Sequence, residues 1–177
     1  MKKISYISFT LALLLSMCAV PQFSFKAGGK GGEEIPGKTI QIDYFENRSA
    51  LASANTSNVL TESLKDLMQS QTKLSLITDN ADWRIFGEIT DYKVNPINIQ
   101  ANSEVAAQNR FTMTVKANCI FITPEKKDSV VINNKTFTFY TDFDSTLDFS
   151  SEEESLQQEV IEQITQSIYD NAFGGSW

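Results

Sequence analysis

The sequence predicts an α+β domain: a two-layer sandwich in which an about four-stranded, mostly antiparallel sheet carries two helices on one face, in the order β-α-β-β-β-α. Three observations carry that expectation. The first is strict alternation in the middle of the chain. "FTMTVKANCIF" sets Phe111, Met113, Val115, Ala117, Cys119 and Phe121 on one side and Thr112, Thr114, Lys116 and Asn118 on the other, the period-two pattern of a half-buried strand. The second is a pair of stripes at helical spacing: Leu60, Leu64, Leu67 and Met68, then Leu156, Val160, Ile161, Ile164 and Ile168. The third is size and composition. With 177 residues, 41% apolar and 21% charged, the chain suffices for one domain with a real core.

The first element follows from "KTIQIDYF", where Ile40, Ile42 and Tyr44 alternate with Gln41 and Asp43 as in a strand. Its lead-in, "GEEIPGKT" (32–39), matches the phosphate-loop pattern G-x-x-x-x-G-K-[ST] in its letters. Such a loop needs a strand before it and a helix after it, so that backbone N–H groups converge on the anion. Here a glycine-rich tract precedes and a strand follows, which makes the segment a linker and not a nucleotide site. "SANTSN" (53–58) supplies N-cap residues for a helix that runs to about Gln71. "ADW" leads into the next strand, with Trp83, Ile85 and Ile89 on one face and Arg84, Glu88 and Thr90 interleaved. Gly87 falls on the apolar face and the alternation slips near Tyr92, both signs of a bulge or bend.

A long connection (95–109) brings in the strand of "FTMTVKANCIF", and "PEKKD" (124–128) reads as a hairpin turn. The following strand is broken or bulged at Asn133 and Asn134 and ends in "TFTFY". "SSEEE" offers Ser150 with Glu153, or Ser151 with Glu154, as a capping box for the last helix. Strands of ten or more residues span roughly 33 Å. The hairpin from Trp83 to Phe121 should therefore project beyond the helices, and the opposite sheet face has no covering element of its own.

The amino end carries different information. "MKKISYISFTLALLLSMC" joins two lysines to an apolar run too short to span a bilayer, so residues 1–17 read as a signal peptide. "LLLSMC" resembles a lipobox, after which Cys18 is acylated and becomes the mature N-terminus. Met17 departs from the Gly, Ala or Ser preferred there, and a plain signal peptide is the alternative. Residues 18–37 form a lipid-anchored flexible tether, and 38–177 the domain. No acid follows Cys18 directly, which by resemblance to sorting rules favours the outer membrane.

Several function classes fall away. A net charge of −7 with pI near 4.6 argues against nucleic-acid binding. Histidine is absent, which removes the commonest general base, the commonest metal ligand and every His-activated nucleophile. Cys119 lies in the apolar register and reads as an inert buried thiol. "DFDSTLDFSSEE" places Asp142, Asp144, Thr146, Asp148, Ser150 and Glu153 at calcium-loop spacing, but Leu147 stands where the sharp turn demands glycine. A solvated loop whose acids complement a helix N-terminus is the expectation. No catalytic residue, cofactor or metal site is expected. Arg110 and Lys116, at the entry and on the polar side of their strand, are the candidate ligand contacts, with two solvated charges as the plain alternative.

The order of these pieces carries a resemblance. The lipobox-like leader, the glycine tether, "KTIQIDYFENRS", "LTESLKDLMQSQTKLSLI", "WRIFGEITDYKVNPINIQ", "NRFTMTVKANCIF" and "FTFYTDFDSTLDFSSEEESLQQEVIEQITQSIYDNAF" together resemble the LptE family of lipopolysaccharide-assembly outer-membrane lipoproteins, from about Thr39 to Phe173. The resemblance implies a non-enzymatic two-helix, four-strand protein that plugs the lumen of the LptD β-barrel. It implies help with barrel assembly and with lipopolysaccharide delivery to the outer leaflet. By the same resemblance Arg110 and Lys116 become candidate lipopolysaccharide contacts, although the acidic mature surface favours a structural role. The alternative is a free periplasm-facing lipoprotein that binds a lipid or another envelope component on its open sheet face.

Overall fold

Residues 35–97, 107–122 and 128–174 are described by the computed structural model. In chain order they form β1 (Thr39–Ile42), β2 (Glu46–Asn47), α1 (Ala54–Gln71), β3 (Ser75–Leu76), β4 (Trp83–Ile97), β5 (Gln108–Ile122), β6 (Asp128–Asp144) and α2 (Phe149–Phe173). The α+β class with both helices on one sheet face is as the sequence predicts. The sheet itself is larger: six strands, ordered β3-β1-β4-β5-β6, with β2 also paired to β4. β4, β5 and β6 form an antiparallel meander. β1 runs parallel to β3 and β4, and β2 runs parallel to β4. The added strands β2 and β3 have two residues each, too few to leave an alternation in the sequence. Parallel pairing of β1 with β4 needs a crossover, and α1 supplies it.

Local sequence explains where the pattern reading needs correction. Tyr44, expected on the apolar face with Ile40 and Ile42, is 53% exposed, and Phe45 is fully buried instead. β1 ends at Ile42, the Asp43 N–H donates to the Ile85 carbonyl (2.9 Å), and the step towards β2 changes the phase. Phe45 takes the space that Gly87 leaves open. A Cβ on Gly87 would lie 2.6 Å from the Phe45 ring and 2.2 Å from the Lys116 carbonyl oxygen. The slip read near Tyr92 is a register shift between Ile89 and Asp91. The irregularity read at Asn133 and Asn134 is also present: Asn134 has φ +46°, and the β5–β6 register shifts on both sides of Cys119.

The helix stripes close the core. Leu60, Leu64 and Met68 of α1 and Leu156, Val160, Ile161, Ile164 and Ile168 of α2 are all buried against the alternate residues of β1, β4 and β5. Trp83 is held between Phe121 (4.7 Å) and Phe173 (4.8 Å). At the far end of α2, Phe149 meets Phe111 (5.6 Å) and Phe143 (6.0 Å). A fully buried side chain of this size contributes about 1.5–3 kcal/mol. The same contact corrects the capping reading. The N-cap of α2 is Asp148, not Ser150 or Ser151, and its carboxylate accepts from the Ser150 hydroxyl (2.7 Å). Glu153 accepts instead from the Tyr92 hydroxyl (2.6 Å), so α2 covers the β4–β5 hairpin as far as Tyr92 and Phe111. Lys93, Asn95 and Pro96 beyond that point are exposed, and the hairpin's projecting end starts there. Residues 1–34, 98–106 and 123–127, which hold the leader, most of the tether and most of the Pro124–Asp128 turn, lie outside the described residues.

The phosphate-loop lookalike does bind an anion, but one from its own chain. Gly37 adopts φ +88°, and the N–H groups of Lys38 (2.7 Å) and Thr39 (3.1 Å) donate to Asp82 Oδ2. The Thr39 hydroxyl adds a third bond to the same oxygen (3.1 Å), and the neighbouring Trp83 indole donates to the Pro36 carbonyl (2.6 Å). The Lys38 N–H, and then Thr39, hold the Asp82 carboxyl below its ordinary 3.8 against the opposing effect of desolvation.

Two outcomes follow from this packing. Gly87→Ala should lower the unfolding free energy by about 1–3 kcal/mol in urea titration, because the added methyl would strike the Lys116 backbone carbonyl of β5 and the fully buried Phe45 ring. Asp82→Asn keeps an acceptor and loses the charge. A depressed folded pKa stabilises above the unfolded value and is lost as pH falls, so the native chain should lose stability below about pH 4 more steeply than Asp82→Asn. Parallel acid limbs in the two thermal melts would contradict this.

Candidate functional site

Among the described residues no helix covers the second face of β4, β5 and β6. Its chemistry is set by the polar half of each alternating strand. Arg110 stands opposite Asp142 in the β5–β6 register, and its Nε and Nη2 atoms bond the two carboxylate oxygens at 2.7 and 2.9 Å. The guanidinium also lies 3.7 Å from the centre of the Tyr140 ring. Its hydrogen bonds hold the Asp142 carboxyl below the usual range. Arg84 bonds Asp43, the residue just past β1 (2.6 Å), and Lys93 pairs with Asp91. Between these pairs runs a threonine band in which the Thr114 and Thr138 hydroxyls lie 3.1 Å apart. Lys116 faces Glu88 on β4 and Thr136 on β6. It lines a shallow concavity of about 450 Å³ with Tyr44, Phe86, Asn118 and Asn134.

Arg110 and Lys116 therefore share the uncovered face, as the alternation implied, but they are not one site. Six residues along a strand separate them by roughly 20 Å. Arg110 is already paired, whereas no ion pair of Lys116 occurs among the described residues. Sequence reasoning did not single out Lys93, Arg84 or Tyr140. Arg84 and Tyr140 owe their roles to partners remote in the chain, Asp43 and Arg110, whereas Lys93 pairs with Asp91 two residues back on its own strand.

The acidic loop diverges instead of converging. Asp142 turns to Arg110, Asp144 accepts from the Thr146 N–H (2.8 Å) and hydroxyl (2.7 Å), Asp148 caps α2 and Glu153 reaches Tyr92. Among the described residues no three His, Cys, Asp or Glu side chains are grouped to hold a metal ion. No helix among them is long and apolar enough to cross a membrane. Cys119 is fully buried, and desolvation pushes its thiol up to about 12. Cys18 lies outside the described residues.

The open, charge-paired sheet face is therefore the candidate functional surface of an α+β domain. The comparisons narrow this further. The family model for LptE, described as lipopolysaccharide-assembly, matches residues 37–172, and the chain belongs to that family. It is a non-enzymatic family of lipopolysaccharide-assembly lipoproteins. Among solved structures, protein CT253 of Chlamydia trachomatis is similar at 12% identity, covering 78% of this chain and 99% of that one, with a TM-score of 0.52. Protein XCC0632 of Xanthomonas campestris is similar at 9% identity over 83% and 91% of the two chains, also with a TM-score of 0.52. At such identities the likeness is one of fold alone. No curated protein sequence matches the chain.

Burial of Cys119 gives a direct check of the sheet's closed side. In a Cys18→Ser background the native protein should leave a thiol reagent such as dithionitrobenzoate unreacted at neutral pH, and urea should release one equivalent of reactive thiol. Rapid reaction without denaturant would show that the helix layer does not seal β5.

Proposed function

We propose that the protein is a non-enzymatic outer-membrane lipoprotein that plugs and helps assemble an LptD-type β-barrel translocon, and so supports lipopolysaccharide transport to the outer leaflet. One observation carries the reading: the LptE family match spans 37–172, the whole of a domain whose sheet is left open on one face. The chemistry of that face suits enclosure. The lumen of an outer-membrane barrel is polar and wet. Threonines and locally neutralised ion pairs meet such a wall at little desolvation cost, because exposed pairs gain and lose little. A face built to hold lipid chains would need a continuous apolar surface instead.

The anchor fits the same placement. Cys18, acylated after removal of residues 1–17, would hold the domain to the membrane through residues 18–37. Counted from Cys18 to the clasp that begins near Ile35, about 17 residues of glycine-rich chain would have a root-mean-square reach of about 23 Å, enough to seat the domain, residues 38–177, in a lumen beside its own anchor. Lipopolysaccharide contact at Arg110 or Lys116 is secondary in this reading. Arg110 would first have to exchange its bidentate bond with Asp142 for a ligand phosphate.

Purification of the tagged protein from detergent-solubilised membranes should bring down a β-barrel several times its mass in stoichiometric amount. Cys18→Ala should abolish metabolic labelling by palmitate. A lipid-labelled protein recovered alone would favour the free periplasm-facing lipoprotein and end the plug reading. Labelling that persists in Cys18→Ala would end the anchor.

A further inference from the structure

The uncovered face is one unpartnered surface; the outer edge of β6 is another, and it is the better defined. Among the described residues no strand lies beyond β6, which at 17 residues is the longest in the sheet. In an antiparallel strand about half the residues turn their N–H and C=O groups to the free side. Exposed edges are normally blunted by charge, proline, bulges or brevity. β3, at the opposite end of the strand order, is blunted by its two-residue length. The first half of β6 is blunted by the irregularity at Asn134 and by Lys135. Thr136–Thr141, "TFTFYT", has none of these protections, since no charge and no proline interrupts it.

Beside this stretch lies a groove of about 590 Å³. Phe139 forms its floor, and Glu159, Glu162, Gln166 and Asp170 of α2 form its wall. The Thr141 hydroxyl donates to Glu159 (2.9 Å) at one end, and Lys135 bonds Asn171 at the other. α2 contains no lysine or arginine at all, so the wall is acidic without compensation from its own helix.

We infer that the β6 edge from Thr136 to Thr141 takes an extended basic segment of a partner polypeptide as an added strand. Alternate lysine or arginine side chains of that segment lie in the groove, their stems over Phe139 and their charges against Glu162 and Asp170. This rests on the reading of the chain as an assembly partner, but not on the identity of the barrel. Backbone bonds to the edge supply affinity, and side chains at every second position supply selectivity. A second copy of the chain fits poorly, because edge-to-edge pairing would bring two acidic α2 walls together.

The test uses the full-length protein in cells, with a photo-cross-linking residue in place of Thr138 or of Gln163, and in place of exposed Gln69 on α1 as a control. Cross-links from the first two positions should map to one continuous partner segment with lysine or arginine at alternate positions. Glu162→Lys combined with Asp170→Lys, both on exposed helix surface, should reduce that cross-link roughly tenfold with the protein's abundance and circular dichroism unchanged. A barrel that copurifies without any β6 cross-link would overturn the inference and leave the plug reading standing. A basic segment captured from some other protein, with no barrel present, would do the reverse. A cross-link to a second copy of the chain, to a segment lacking the basic alternation, or one indifferent to the charge reversal would also overturn it. Absence of both barrel and cross-link would end both.

Discussion

β4 is hydrogen-bonded along both of its edges, and the rest of the molecule depends on that. On one side it receives β1 and β2 in parallel, and on the other it pairs with β5 over nearly its whole length. Because a parallel neighbour cannot be reached by a tight turn, the chain has to pass through α1 between β1 and β4. That passage lays α1 on the same face as α2. The two-layer architecture, the closed side and the open side are all consequences of where β4 sits.

Much of this was legible in the sequence, for identifiable reasons. β5 offers six apolar residues in unbroken alternation, and α2 offers a five-residue stripe, so tertiary packing only had to ratify the local pattern. Gly87 is not the bulge or bend that its place in the pattern suggests: it pairs in register with Ala117, and the missing side chain admits the Phe45 ring instead. What the pattern could not carry was anything decided by partners remote in the chain. Tyr44 and Phe45 exchange roles because the space over Gly87 lies more than forty residues away in sequence. β2 and β3 exist only because neighbours offer them backbone groups. Asp148 displaces the serines as cap because Phe149 has to reach Phe111.

The candidate surface was legible to a similar depth. Alternation along β5 put Arg110 and Lys116 on the open side, but it could not say that Arg110 is clasped by Asp142 and Tyr140 while Lys116 is left facing Glu88. That difference separates a residue whose charge is spent inside the protein from one whose charge is available outside it. The acidic loop makes the same point in reverse: ligand-like spacing in one dimension becomes four carboxylates with four different errands in three.

The clasp of Lys38 and Thr39 on Asp82, with Pro36 held by Trp83, has a mechanical meaning. Any pull on the chain ahead of Ile35 arrives at these bonds before it arrives at β1. β1 has only four residues with which to resist, and it borders the core at Ile40 and Ile42. The clasp therefore works as a strain relief: a load applied at Ile35 is borne by the Asp82 and Trp83 bonds before it can peel β1 from the sheet.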